Sequence, residues 1–321
     1  MKVGKNITGF AIAIAWPQTY CKEPGAWYDP VTRWLGISRN NYYRAGHAAL
    51  VLIEGNGDIW HYFDFGRYHA PFRHGRVRSG VTDHELRMMT VPKVSADGTT
   101  IHNFSDILTE LQLNEGCHGE GRLYASYCHI DFQAAFQKAL QLQNAGPLPY
   151  GPFIRNGSNC SRFVNTVIRA GKPKWKFWLR LRYIVPLTPT PMNNVNSLEH
   201  KTILPVIRST VPFKPLRSLN REELLSTMPQ PGRGPGIPEN AQWLSGEGAG
   251  SWFFFNTDQG TLNVTRYSPD GKVECNGVFE GTGIGHITSG DQFTVDYPSD
   301  CNKVLLKNGT RKLRFTRKRK E

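Results

Sequence analysis

The sequence predicts an α+β fold: an antiparallel sheet with packed helices, followed by a small all-β domain. Three observations predict it. Two apolar runs at 46–66 flank Gly55-Asn56-Gly57-Asp58, and an Asn-Gly pair between such runs signals a hairpin. Three later segments, at 104–113, 131–143 and 158–171, carry apolar residues at helical spacing. From 251 the chain breaks into short β-type runs bounded by Gly, Asp or Asn. With 321 residues, of which 39% are hydrophobic, 12% aromatic and 20% charged, the chain can bury an ordinary core without disulfide staples. The expected organisation is one domain over 1–187, a Pro/Gly-rich linker or extended wrap over 188–245, and a β domain with a basic end over 246–321.

Taken in order, residues 7–16 (ITGFAIAIAW) read as a buried strand. The start, Met1-Lys2-Val3-Gly4-Lys5, has the outline of a signal peptide. Its apolar stretch is short, however, and runs into Pro17, Tyr20 and Cys21 without a small-residue cleavage site, so a strand and a cytoplasmic location are expected. Residues 20–45, rich in Trp, Tyr, Asn and Pro, read as a long irregular connection. The first helix presents Phe104, Ile107, Leu108 and Leu111. The second starts from Asp131 as N-cap and presents Phe132, Ala135, Phe136, Leu140 and Leu142. Ser158 or Asn159 caps the third, which presents Phe163, Val164, Val167 and Ile168 and meets Gly171 where a C-terminal glycine belongs. TPTP at 188–191 and PQPGRGPG at 229–236 mark the linker. SWFFFN, TLNVTRY, KVECNGVFE, QFTVDY and KVLLK supply the later strands, with Ser268-Pro269-Asp270-Gly271 as one turn.

The net charge is +13, much of it in Arg311, Lys312, Arg314, Arg317, Lys318, Arg319 and Lys320. A solvated terminal strand and tail explains that cluster. No RNA-binding motif, helix-turn-helix or zinc finger accompanies it, so no nucleic-acid partner is expected. No apolar run is long enough for a transmembrane segment. None of the six cysteines forms a CxxC pair, which removes the zinc-ribbon and thioredoxin-like classes. Cys275 and Cys301 are candidates to pair with each other. No histidine, aspartate or cysteine spacing suggests a metal site, and no cofactor is expected. Nothing in the sequence fixes the oligomeric state.

Cys160 falls in the first turn of a predicted helix, where unpaired backbone N–H groups and the helix dipole favour a thiolate. Gly151 and Gly157 upstream allow a close backbone approach. A buried, purely structural cysteine fits the same position. His47, opening a strand directly after Gly46, supplies the imidazole that a thiolate nucleophile needs. A third polar group should orient that imidazole, and the facing strand offers His61 and Asp64. These point to opposite faces; the hairpin register, on which one residue of slip swaps them, decides between the two.

A strand beginning Gly-His, a hairpin, then a distant Asn-Cys at a helix start resembles the circularly permuted NlpC-type papain-like superfamily. That group includes lecithin:retinol acyltransferase-like enzymes and bacterial amidases and peptidases. GHAALVLIEGNGDIWHYFD matches its histidine hairpin and GSNCSRFVNTVI its cysteine helix. The resemblance implies a permuted papain-like domain, His47 as base, Cys160 as nucleophile and a polar residue of the next strand as third member. The lecithin:retinol acyltransferase-like enzymes carry Glu-His after the cysteine, whereas Ser161-Arg162 follow Cys160. The blocks AIAWP, GHAAL, YFDFGRYHAPFRHGRVR, GSNCSRFV and VDYPSDCNKV also resemble an uncharacterised bacterial family over most of the chain.

Asn159, Ser161 and Gly157 beside the thiol, with Arg67, Tyr68, His69 and Tyr20, are the candidate substrate-binding residues. Arg67, Arg73, Arg76 and Arg78, interleaved with His69, His74 and His84, suit a carboxylate partner; a solvated surface or structural hydrogen bonds is the commoner explanation. His118 and His129 read as structural, and Tyr20 and Cys21 as an edge of the aromatic core or part of the cleft. The function expected is a cysteine hydrolase, amidase, peptidase or acyltransferase, acting through a Cys160 thioester on a small peptide, amide or acyl substrate. The alternative is a non-catalytic scaffold that recognises a partner through its β domain.

Overall fold

A computed structural model describes residues 8–207, 213–258, 261–281 and 292–318. The signal-peptide-like start and the last basic residues, Arg319 and Lys320, lie outside these. The fold is mixed α+β, with an all-β C-terminal portion.

The first sheet has seven antiparallel strands: β1 (Gly9–Trp16), β2 (His47–Glu54), β3 (Trp60–Gly66), β4 (His74–Ser79), β5 (Leu123–Ile130), β6 (Leu148–Pro149) and β7 (Glu199–Leu204). Their order is β7-β5-β1-β2-β3-β4-β6. The central strands β1 and β2 are buried along nearly their whole length. Both faces of the sheet are covered, which is why their sequences read as continuous apolar runs rather than alternating ones. Helices are α1 (Asp29–Trp34), α2 (Phe104–Leu113), α3 (Phe132–Asn144), α4 (Cys160–Ala170), α5 (Trp175–Tyr183), α6 (Pro191–Asn196) and the single turn α7 (Arg221–Leu224). One face carries Phe10, Ile12, Ile14, Ala49, Val51 and Ile53 against Ile107, Leu108 and Leu111 of α2. The other carries Ala11, Ala13, Ala15, Ala48 and Leu50 against Phe163, Val164, Val167 and Ile168 of α4. The alanines on that second face let α4 lie close to the sheet.

The hairpin, the three helices and the first strand fall where the sequence places them. The N-caps are Asp131, accepting from Ala134 N at 3.0 Å, and Asn159, accepting from Arg162 N at 2.8 Å. Gly171 follows α4 at φ −70°, so its role is not a left-handed cap. A Cβ there would press on Ile130 and Ala135 at 3.0 and 3.1 Å, and close packing is what requires glycine. The irregular 20–45 connection contains α1 and a small ribbon of Cys21–Lys22, Ser38–Arg39 and Tyr42–Tyr43. The 188–245 stretch is more ordered than its composition suggests, since it holds α6 and adds β7 to the sheet edge.

The second sheet comprises β8 (Gln242–Leu244), β9 (Ser251–Asp258), β10 (Thr261–Tyr267), β11 (Val273–Glu280), β12 (Thr294–Asp296), β13 (Lys303–Asn308) and β14 (Arg311–Arg317). Its order, β8-β9-β10-β11-β14-β13-β12, brings the two edges close. The Gln242 side chain bridges them, donating to Phe293 O and accepting from Val295 N, so the sheet is nearly a barrel. Phe253, Leu262, Phe279, Val304 and Phe315 fill it. This sheet docks on the first through a buried polar cluster. Asp83 accepts two bonds from Arg76, at 2.6 and 2.8 Å, and one from Arg266 of β10 at 3.0 Å. Arg266 also donates to Glu274 at 2.5 Å, and His69 meets Ser251 at 2.7 Å.

Candidate active site

His47 opens β2 directly opposite Trp16 of β1, whose indole stacks on the imidazole at 5.9 Å. Gly46 makes this start possible. Its φ is +75°, and a Cβ would fall 2.9 Å from both Pro17 Cα and Trp16 O. Asp64 of β3 pairs with Ala49, two residues along β2, so its side chain shares the face of His47. His47 Nε2 stands 3.6 Å from Asp64 Oδ2 and has no closer partner among the described residues. His61 pairs with Leu52, projects from the opposite face and stacks on Phe136 at 4.7 Å. Of the two alternatives left by the sequence, Asp64 is the residue that the register brings to His47.

Asp64 is completely buried. Arg78 donates to both its oxygens, at 2.9 and 2.5 Å, and Tyr62 donates to it at 3.1 Å. Burial alone would raise its carboxyl pKa; Arg78 and His47 overcome this and hold it well below the ordinary range. Arg78 is itself buried, with its guanidinium 3.9 Å from the centre of the Tyr68 ring.

Cys160 is the first residue of α4 and is 6% exposed. Its thiol interacts with the His47 side chain and with the backbone N–H of Ala48, and lies 3.8 Å from Ser161 Oγ. Burial raises the thiol pKa, but His47, Ser161 and Ala48 together bring it below its ordinary value. Burial likewise disfavours a charged His47, yet Asp64 and Cys160 outweigh this and push the imidazole up to about 9. The attraction between imidazolium and thiolate contributes to both shifts; Asp64 adds to it on the imidazole, and Ser161 and the Ala48 N–H on the thiol. The start of α4 is held from behind: Asn194 donates to Ser161 O at 2.9 Å, and Asn165 donates to Asn194 Oδ1 at 3.2 Å.

Two cavities meet here. A polar cleft of about 740 Å³ is lined by His47, Tyr20, Arg67, Tyr68, His118 and Glu120, among others. A second, largely apolar groove of about 800 Å³ is lined by Asn159, Cys160 and Ser161 at one side. The candidate residues distribute between them. Tyr20 and Tyr68 face the cleft, with Tyr68 stacked on His118 at 4.5 Å. Arg67 also lines it, but its guanidinium is tied to Glu247 at 2.5 Å and to Lys22 O. Gly157 packs where a Cβ would strike Pro149 O at 2.6 Å. His69 sits instead in the contact between the sheets, 3% exposed, and Arg73 bonds Gly25 O. No local pattern marks Val206, Phe213, Met228 and Glu247, which wall the cleft from a distant part of the chain. Cys275 and Cys301 interact through their thiols and are both free.

The fold and this cleft belong to a chain of the type VI secretion system effector TseH-like family, whose model matches residues 11–177, just over half of its length. A second family model, the DUF6695 C-terminal domain, matches residues 241–318. Among solved structures, the crystal structure of the type VI secretion system effector TseH is similar at 18% identity, covering 60% of this chain and 89% of that one with a TM-score of 0.37. No curated protein matches. Among the described residues, no helix is long and apolar enough to cross a membrane.

Proposed function

We propose that this protein is a cysteine hydrolase of the permuted papain-like type, with Cys160 as nucleophile, His47 as base and Asp64 as the group that orients His47. The observation that carries this reading is the buried Asp64–His47–Cys160 line, in which the imidazole is held basic and the thiol acidic. The order of these residues along the chain, histidine strand before cysteine helix, is that of the permuted superfamily.

In the reaction, the Cys160 thiolate attacks an acyl carbon and the C–S bond forms as the carbonyl electrons move to oxygen. The Cys160 backbone N–H, in the first turn of α4, is the donor assigned to that oxyanion, together with one further donor. Collapse breaks the bond to the leaving amine or alkoxide, which takes the proton of His47. Water then attacks the thioester, giving its proton to His47, and Cys160 leaves as thiolate. Asp64, fixed by Arg78 and Tyr62, keeps the imidazole oriented and stabilises its charge without itself taking a proton. A type VI effector acts where it is delivered, so synthesis in one cytoplasm is compatible with a substrate in another cell.

The test is acid-quenched incubation with p-nitrophenyl acetate, followed by peptide mapping. An acetyl adduct on Cys160, absent from Cys160→Ala together with turnover, is the expected result. Equal turnover in Cys160→Ala would remove the enzyme reading and leave a scaffold that keeps this fold.

A further inference from the structure

Independently of what Cys160 acts on, we propose that the outer face of α5 docks the protein on an anionic lipid surface, with the helix lying in the plane of the headgroups. Helix α5 has two apolar stripes where an ordinary surface helix has one. Phe177 and Leu181, four residues apart, are buried in the core beside α4. Trp175, Leu179 and Tyr183 repeat that spacing two positions out of step, about 200° round the axis. Leu179, at the middle of this second stripe, therefore points away from the core. The three are 72, 38 and 66% exposed. The chain leaving the helix adds Ile184 and Leu187, 69 and 94% exposed. Single exposed apolar residues are ordinary; five along one short segment, three of them in one outward stripe, mark a binding surface.

Cations flank the stripe. On the helix, Arg182 lies to one side of it and Lys176 and Arg180 to the other. Lys172 and Lys174 precede the helix, and all five are exposed. Between Asp131 and Glu199 the sequence has no acidic residue. Among the described residues, the one carboxylate paired with any of the five is Glu199, 3.5 Å from Lys176. The others are left to a partner.

Charge and apolarity together select the occupant. A second copy of the chain in a two-fold contact would bring the same cations against each other. A nucleic acid answers the charge but has no use for the aliphatic Leu179, Ile184 and Leu187. An anionic bilayer answers both, because its charged headgroups cover an apolar layer in the same order as the flanks and the stripe. Trp and Tyr favour that boundary. The surface is also preformed. Asn165 donates to Leu181 O at 2.9 Å and Asn193 donates to Ile184 O at 2.8 Å, which fix the inner side and the end of the helix.

The experiment is sedimentation of the full chain with vesicles of phosphatidylglycerol and phosphatidylcholine in equal parts, against vesicles of phosphatidylcholine alone. Partitioning to the mixed vesicles should exceed that to the neutral ones. It should fall as salt rises from about 0.1 M to about 1 M, where the screening length drops from roughly 10 Å to roughly 3 Å. A basic residue close to an anionic surface contributes roughly a factor of five, so Arg180→Ala with Arg182→Ala should weaken partitioning about 25-fold. Both positions are exposed, and the urea midpoint of this variant should match wild type. Trp175→Phe keeps the stripe apolar and should still bind, but the tryptophan fluorescence quenched by brominated phosphatidylcholine in the mixed vesicles should shrink. Partitioning unchanged by the double substitution, or a quenched fraction unchanged by Trp175→Phe, would place the contact on another face, such as the basic β14, and overturn the proposal. Equal binding to neutral vesicles would overturn it as well. Binding of an oligonucleotide or of polyglutamate that is tighter than that of the mixed vesicles, and is lost in the double variant, would assign the surface to a soluble polyanion instead.

Discussion

Replacing His47 with alanine should make Cys160 a sluggish thiol, and the size of the loss follows from the charges around it. In the native site His47 is raised to about 9, because Asp64 and Cys160 outweigh the opposing effect of burial, while the thiol is lowered. Imidazolium and thiolate therefore coexist from the depressed thiol pKa up to about pH 9. Within that range, forming the pair moves a proton from sulfur to nitrogen and takes none from solvent, so alkylation by iodoacetamide should be nearly independent of pH. In His47→Ala the strongest influence lowering the thiol pKa is gone and burial, which raises it, remains. A thiol at its ordinary pKa of about 8.5 is only a few per cent ionised at pH 7, so alkylation should slow by at least ~30-fold. The pH profile should also change from flat to rising. The assay is mass-spectrometric counting of the Cys160 adduct over time, from pH 5 to 10. Cys21 is an internal control, since burial and Cys160 push its thiol up to about 12. A His47→Ala rate within threefold of wild type at pH 7 would refute the reasoning, because the acidity of Cys160 would then owe nothing to His47.

Asp64→Asn removes the charge that both Arg78 and His47 face, and leaves a buried guanidinium unpaired. Breaking such a pair costs roughly 3–5 kcal/mol, measurable as a lower urea midpoint, and the upper end of the flat alkylation range should move below pH 9 as His47 loses its carboxylate. Asp83→Asn should cost a similar amount at pH 7, since Arg76 and Arg266 both depend on that carboxylate. Burial favours the neutral form of Asp83, but the two arginines hold its pKa well below the ordinary value. Its contribution to stability is thus complete above about pH 4 and is lost as pH falls, so the wild-type and Asp83→Asn urea midpoints should converge from pH 4 downward; a constant gap would contradict this.

The parts of this structure that the sequence made legible are those with a strong period. β1, the β2–β3 hairpin and α2 to α4 have apolar residues at spacings that burial alone enforces, and Asn159 and Asp131 announce their helices by capping chemistry. The choice between His61 and Asp64 was not legible. It turns on a register set by the short hairpin loop, and one residue of slip would exchange the two faces. The arginines of 67–78 were ambiguous for a related reason. Four arginines and two histidines within 67–78 read as surface, yet Arg67, Arg76 and Arg78 are buried. Arg67 pairs with Glu247, and Arg76 shares Asp83 with Arg266, across more than half of the chain. Nothing local encodes pairs so distant in sequence. The Pro- and Gly-rich 188–245 stretch hid β7 and the residues that wall the cleft, because turn-rich composition carries no period from which packing can be inferred.

These long-range pairs bear on what the C-terminal portion does for the site. Arg76 and Arg78 are alternate residues of β4, so their side chains leave the sheet on one face. Arg78 neutralises Asp64 beside His47, while Arg76 shares Asp83 with Arg266 of β10. The charge balance of the site and that of the contact between the sheets are thus set by neighbouring positions of one strand. Arg67 extends the same logic into the cleft. It is 7% exposed, its principal anionic partner is Glu247 from the chain leading into β9, and it lies 4.7 Å over the ring of Tyr150, which lines both cavities. Without Glu247 an unpaired guanidinium would stand in the cleft wall and favour an anion there. With it, the wall is close to neutral and the imidazolium–thiolate pair keeps its own balance. The segment that carries Glu247 therefore belongs to the electrostatics of the cleft as much as to the sheet that follows it.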